Sequence, residues 1–79
     1  MKNWLMLTLV GKDRPGIVAE VSRVLFDMKG NLGEASMTRL GGNFTIMLMA
    51  SIPEKIITVE KKLQPVCDKL GLFFHLDEI

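Results

Sequence analysis

The feature that most limits the fold is a change of hydrophobic period across one turn, the stretch GKDRPG at positions 11–16. Before the turn, residues 4–10 form an apolar run with hydrophobic side chains on both alternating sets, which is typical of a strand inside a sheet. After the turn, apolar residues recur at the spacing of one helical face, with charged residues opposite them. This stripe consists of Ile17, Val18, Val21, Val24, Leu25 and Met28. The fold therefore begins with a strand that passes through a tight turn into a helix.

The rest of the chain repeats the alternation between strand and helix. The sequences NLGEASMTRL and NFTIMLMAS predict two strands, joined by a hairpin turn at Gly41 and Gly42. A second helical stripe follows, and LFFHL predicts a last strand. Gly30 and Gly71 are expected to end the two helices, and Pro65 to kink or split the second one. The second stripe consists of Ile56, Val59, Leu63, Val66, Cys67 and Leu70.

The resulting order, βαββαβ, predicts one α+β domain that spans residues 1–79. Right-handed crossovers around a central hairpin give a ferredoxin-like sandwich, with a four-stranded antiparallel sheet in the order 4-1-3-2 and both helices on one face. The other sheet face then carries an apolar patch, which predicts self-association. A shift of the alternation by one residue in some strand is the alternative that would remove this patch. The patch consists of Trp4, Met6, Met47, Met49 and Phe73.

Composition excludes several classes of function. The net charge of the 79 residues is +1 with scattered Lys and Arg, so no nucleic-acid footprint is expected. No apolar stretch approaches the roughly 18 residues that a membrane helix needs. The single cysteine, Cys67, rules out an internal disulfide and fits a reducing compartment. We therefore expect a soluble cytoplasmic protein that binds neither nucleic acid nor membrane.

The chain has few residues for catalysis or metal binding. His75 is its only imidazole, and Cys67 shares an apolar helical stripe, so each is expected to be a surface or packing residue. One His and one Cys do not complete a zinc site. The carboxylates show no spacing that implies an acid–base pair. We expect no catalytic residue, no metal and no cofactor.

The turn itself carries the chemistry of an anion site. Gly11 lacks a Cβ, which lets backbone or ligand approach closely. Asp13 is predicted to cap the helix, and Pro15 suits its first turn. Gly16 and Ile17 would then present free amides at the positive end of the helix dipole, where a carboxylate or phosphate binds well. The alternative is that the same residues only begin the helix and bind no ligand.

With this order and this turn, the sequence resembles the ACT domain family over essentially its whole length. The matching stretches are GKDRPGIVAEVSRVL, KGNL and GGNFTIMLM. Within the family it looks most like the domains of glycine-cleavage-system repressors and small stand-alone ACT proteins. The resemblance implies a regulatory domain that pairs through sheet edges, as a homodimer or a higher homo-oligomer, and binds an amino acid at the seam. It implies ligand contacts from Gly11, Asp13, Gly16 and Ile17 of one copy, and from Asn31, which begins the second strand, usually of the neighbouring copy.

Two departures from the family and two alternatives remain. Gly11 replaces a polar ligand-contacting side chain of some members, and repressor-like members commonly carry two such domains, whereas this chain has one. A role in transcription would therefore act through a protein partner. One alternative function is an interaction scaffold that docks a partner on the apolar face or open edge without any ligand. The other is an acylphosphatase-like hydrolase that uses Arg14 and Asn31.

Overall fold

The computed structural model describes residues 4–79, which form a two-layer α+β domain. The strands make one antiparallel sheet in the order β2-β3-β1-β4, which is the predicted order 4-1-3-2 read from the other edge. The predicted ferredoxin-like fold is confirmed. Neither helix has the length and hydrophobicity that crossing a bilayer requires, which holds for the described part of the chain. The elements are β1 (Trp4–Lys12), α1 (Ile17–Asp27), β2 (Asn31–Leu40), β3 (Asn43–Ser51), α2 (Ile56–Leu70) and β4 (Phe73–Glu78).

The hydrophobic core lies between the two helices and one face of the sheet. β1 and β3 pair along nine residues each and alternate buried and more exposed side chains, so that one apolar set from each strand faces the helices. Val21 and Leu25 of α1 and Val59 and Leu63 of α2 pack onto this set. The strand residues that share the core are Leu5, Leu7, Leu9, Phe44, Ile46, Leu48 and Ala50.

The face of the sheet turned away from the helices is apolar and uncovered in the single chain. We call this surface the open face; its apolar members are Trp4, Met6, Val10, Met47, Met49 and Phe73. The indole of Trp4 lies across β3 and reaches β2, where a Cβ on Gly33 would stand 2.9 Å from the ring. The predicted assignment of Trp4, Met6, Met47, Met49 and Phe73 to the uncovered face is correct.

The end of α1 differs from the prediction that Gly30 would close the helix. The residue with a left-handed backbone is Lys29, at a φ of 63°. Its amide donates to the Phe26 carbonyl and the Gly30 amide donates to the Leu25 carbonyl, both at 2.9 Å, which are the two hydrogen bonds of a Schellman motif. Gly30 is needed for space instead, because a Cβ there would lie 2.8 Å from the Leu25 carbonyl oxygen and 3.2 Å from Ile52.

The second helix is not split at Pro65. α2 runs without interruption from Ile56 to Leu70, with the exposed Pro65 inside it, and Gly71 ends it at a φ of 69° as predicted. Proline removes only the hydrogen bond to the Lys61 carbonyl, and Lys61 is exposed, so water can solvate the free oxygen. The hairpin prediction is also correct, since Gly41 and Gly42 both have positive φ.

The end of α1 gives a paired prediction. Lys29→Gly should raise the free energy of unfolding by up to about 1 kcal/mol, because glycine adopts the left-handed conformation without a Cβ penalty. Gly30→Ala should lower it by about 1–3 kcal/mol, because the new methyl group meets backbone. Urea denaturation followed by circular dichroism measures both, with Lys29→Ala as the control for loss of charge. If Lys29→Gly and Gly30→Ala changed the free energy of unfolding by the same amount and in the same direction, this account would be contradicted.

Candidate functional site

A cleft of about 510 Å³ lies at the beginning of α1. One wall is the loop between β1 and α1 with the first turn of the helix. The other wall comes from the sheet, through Met37 and Arg39 of β2 and Phe44 of β3. The cleft is therefore built by the turn that the sequence singles out, together with the hairpin end of two strands.

The beginning of α1 is open to solvent and is not capped by a side chain. Gly16 is the N-cap residue, at a φ of 82°, and its carbonyl accepts the first helical hydrogen bond from the Glu20 amide at 3.0 Å. The amides of Gly16 and Ile17 have no hydrogen-bond acceptor among residues 4–79. Pro15 precedes the helix rather than occupying its first turn. These free amides lie where the sequence predicted an anion cradle, and binding of an anion there stays a prediction.

The prediction that Asp13 caps α1 is wrong, because two contacts with the hairpin hold this residue. The Asp13 amide donates to the Gly42 carbonyl at 3.0 Å. Its carboxylate Oδ2 accepts a hydrogen bond from Nε of Arg39 at 2.6 Å. Asp13 thus lines the cleft as half of an ion pair and not as a helix cap.

Arg39 is the site residue that reasoning from the sequence missed. Both side chains of the Arg39–Asp13 ion pair are solvent-exposed, so the pair contributes no more than about 1 kcal/mol to the free energy of unfolding. A charged ligand can therefore replace either partner. The only sign in the sequence was its place in β2: Arg39 is two residues after Met37, on the same side of the strand, just before the hairpin turn. That position becomes informative only once β2 is paired with β3, which sets Arg39 opposite Phe44 beside the loop.

Gly11 contacts its own chain at the position where its side chain would be. A Cβ there would lie 2.6 Å from Cδ2 of Leu72 and 3.3 Å from the Gly71 carbonyl oxygen. The close approach that its bare backbone permits is made by the segment between α2 and β4. Gly11 therefore supports the loop, whereas Asp13, Gly16 and Ile17 line the cleft.

Asn31 lies at the other end of the sheet from the cleft. It begins β2, where it is paired with Ser51, which in turn is paired with Trp4. Arg39 is eight residues further along the same strand, which carries a bulge, and their partners Ser51 and Phe44 are seven residues apart, a separation of about 23 Å at the rise of a β-strand. One copy therefore brings Asp13, Gly16 and Ile17 together but not Asn31.

The residues of the acylphosphatase-like alternative are separated in the same way. Arg14 follows β1 at the cleft end, and its guanidinium Nη1 donates to the Leu70 carbonyl at 3.4 Å, at the end of α2. Asn31 is at the opposite end of the sheet. A single copy does not assemble the arginine–asparagine pair that phosphate chemistry on this fold would need.

Neither Cys67 nor His75 lies in the cleft. Cys67 is fully buried in α2, and burial, followed by the nearby charge of Asp68, raises the pKa of its thiol to about 11. His75 is exposed on β4 and lies 3.5 Å from Asp77. Within residues 4–79, no three His, Cys, Asp or Glu side chains are grouped to hold a metal ion.

Residues 3–77 match the family model of the ACT domain. The chain belongs to the ACT domain family. Domains of this family are typically regulatory and bind amino acids, and this is the functional class that the match supports. The resemblance inferred from the loop and hairpin stretches is thereby confirmed.

Relatives and solved structures agree with this assignment. A UPF0237 protein of Methanopyrus kandleri is 34% identical over 70 residues, which cover 85% of this chain and 78% of that protein. An ACT domain protein from Streptococcus pneumoniae has a TM-score of 0.85 and 28% identity, covering 99% of this chain and 91% of that one. A putative glycine cleavage system transcriptional repressor has a TM-score of 0.86 and 26% identity. This ACT domain is covered completely in that match but spans only 47% of the repressor chain.

The buried thiol makes stability depend on pH in a defined direction. The folded state holds the Cys67 proton up to about pH 11, whereas the unfolded thiol releases it near its ordinary value of 9.0. Above the unfolded value the folded state binds more protons, so the free energy of unfolding should fall as the pH rises from about 9 to about 11. Urea denaturation across this range should show a smaller fall for Cys67→Ala than for the parent chain. Parallel pH profiles would contradict the assignment of the fall to Cys67.

Proposed function

We propose that this ACT domain is a non-catalytic regulatory module that binds a small amino acid at a seam between two copies. The observation that carries the proposal is the cleft at the beginning of α1, which has the groups for a carboxylate and an ammonium but lacks Asn31. Membership in the ACT family supports an amino acid as the ligand class. No cofactor takes part in this function.

The cleft has separate partners for the two charged groups of an amino acid. The free amides of Gly16 and Ile17, at the positive end of the helix dipole, suit the carboxylate. The carboxylate of Asp13 suits the ligand ammonium, which would have to displace Arg39 from it. The displaced guanidinium of Arg39 can then bind the ligand carboxylate. Phe44 and Met37 provide an apolar wall for the ligand side chain.

The missing side chain can come from a second copy through the edge strand β2. This strand is ten residues long, lies at the edge of the sheet and is exposed at nearly every position. A long exposed edge presents unpaired backbone groups that another strand can pair with. If β2 pairs antiparallel with β2 of a second copy about a two-fold axis, the beginning of one strand meets the end of the other. Asn31 of the second copy then lies beside Arg39 and the loop of the first.

Such a seam would couple ligand binding to assembly. The ligand binds the paired arrangement better than the separate copies, because only the paired arrangement supplies both halves of the site. The bound amino acid therefore favours edge pairing, and a partner protein that recognises one arrangement would register it. We place this activity in the cytoplasm, where the free thiol of Cys67 stays reduced.

Calorimetric titration with each common L-amino acid at millimolar concentration tests the proposal. At least one should bind, and Asn31→Ala should weaken it by about tenfold or more, because a hydrogen bond to a charged group is lost. The melting temperature without ligand should change little, since Asn31 is exposed. Gln64→Ala, which removes an exposed amide from α2, is the matched control and should bind as the parent chain does. If no amino acid gives heat or a thermal shift, the proposal fails and the scaffold alternative replaces it.

Mixing two variants that each lack one half of the site tests whether the site is shared between copies. Asp13→Ala lacks one half of each site and Asn31→Ala lacks the other half. Each mixed pair contains one intact site and one site that lacks both residues. Because half of random pairs are mixed, mixing should restore binding to about a quarter of the parent stoichiometry. A mixture that binds no better than its components would place both residues in one copy's site or in none.

A further inference from the structure

We infer that a second copy also packs on the open face, with the two sheets face to face and their strands running in opposite directions. This contact is separate from the β2 edge and goes beyond the proposed ligand site. It rests on three observations on the open face: its exposed apolar side chains, the separation of its charges and the fit of one protruding leucine to a shallow pocket.

The apolar side chains of the open face are exposed to a degree that a single soluble domain seldom keeps. Trp4, Val10, Met47 and Phe73 are between 38% and 79% exposed, and they occupy three adjacent strands. Thr8, Thr45 and His75 lie among them, and several exposed apolar side chains on one sheet face are typical of an interaction surface. The opposite side of the sheet is already covered by both helices, so nothing else in residues 4–79 can cover this face.

The charges on this face are separated toward its two ends. Lys12 lies at the end of β1 beside the hairpin, and the alternation of β1 puts it on the same side as Val10. Glu34, in the irregular part of β2, and Asp77, paired with Met6, lie toward the other end. The separation between Lys12 and the Met6 level is about 20 Å along the strand. Among residues 4–79, His75 is the remaining titratable group on this face, and it lies beside Asp77.

This charge distribution selects the second copy and its orientation. When one copy is turned by 180° about an axis that crosses the strands, its Lys12 end lies over the Glu34 and Asp77 end of the other copy. Because the axis is two-fold, Lys12 of the second copy also lies over Glu34 and Asp77 of the first, so opposite charges face each other at both ends of the contact. A parallel arrangement would set like charges over each other, which is unfavourable.

The same rotation brings a protruding side chain over a pocket. Leu40, at the hairpin end of β2, is 82% exposed. A shallow pocket of about 220 Å³ lies toward the other end of the face, and its lining includes Met6, Met47 and Met49. Because reversed strands exchange the two ends of β2, Leu40 of each copy lies over the pocket of the other. Methionine side chains adapt readily to such an inserted group.

The size of the face sets the expected strength of the contact. Four strands of this length give a face of about 550 Å² in projection, so two copies would bury about 1,100 Å² in total, just below the range of standard stable interfaces. We therefore expect dissociation at micromolar concentrations rather than permanent association. Edge pairing through β2 leaves the open face accessible, so the two contacts can form together.

Sedimentation equilibrium across micromolar concentrations tests the contact. Met47→Lys and Val10→Lys each bury a charge at the contact and should halve the mass of the largest species. This halving is expected whether that species is a dimer or, with edge pairing, a tetramer. Ile57→Lys is the matched control, because Ile57 is also exposed but lies on α2. The inference is overturned if the folded Met47→Lys and Val10→Lys variants assemble as the parent chain does, or if Ile57→Lys has the same effect.

Zero-length carbodiimide cross-linking tests the orientation. A bond between Lys12 and either Glu34 or Asp77 spans about 20 Å within one copy, which is too far, so it can form only between copies. Mass spectrometry should find this cross-link in the parent chain and lose it in Met47→Lys.

Charge reversal tests the same arrangement. Lys12→Glu reverses the charge at one end of the open face and should weaken assembly. Adding Glu34→Lys and Asp77→Lys reverses the charges at the other end and should restore it. Assembly without the cross-link, or without rescue, would overturn the antiparallel arrangement. Calorimetry on Met47→Lys should still detect the amino acid, which separates this result from failure of the ligand site.

Discussion

The pairing of β1 with β3 is the contact on which the other features of this domain depend. Nine consecutive residue pairs lock the register, and a shift of one residue would turn Leu7 and Leu48 from the core to solvent. The same register assigns Trp4 and Met47 to the opposite side. Because both helices pack on the face with the leucines, the other side is left apolar and uncovered. One set of backbone hydrogen bonds thus determines both the core and the surface that needs a partner.

That register also explains why one copy cannot hold all the residues expected at the ligand site. β1 and β2 are each antiparallel to β3 and so run in the same direction. The loop that follows β1 is therefore at one end of the sheet, and Asn31, which begins β2, is at the other. Rotation of side chains does not bridge about 23 Å. A site that uses both groups requires a second copy, so its occupancy depends on assembly by construction of the fold.

The sequence was sufficient for the fold but not for the contacts that decide the site. Periodicity predicted every strand and helix because each element buries one regular set of apolar residues. Pro65 was tolerated because the oxygen that it leaves without a hydrogen bond is exposed, and the other two errors occurred where contacts outside the local sequence override a local preference. Asp13 has the chemistry of a helix cap, but the hairpin holds it through Gly42 and Arg39, twenty-six or more residues away. The glycine after α1 marked the end of the helix correctly, yet crowding by Leu25 and Ile52 was the reason for it, and Lys29 took the strained conformation.

The two proposed contacts use surfaces at right angles, the edge of the sheet and its open face, and this separates their roles. The ligand would touch only the edge seam, so it acts directly only on edge pairing. Association through the open face joins copies in pairs, so that two edges can pair at once between two such pairs. By linkage, a ligand that favours edge pairing then favours the larger assembly as well. The apolar face, which would be a liability in an isolated domain, thereby becomes the part of the assembly that makes the edge sensitive to its ligand.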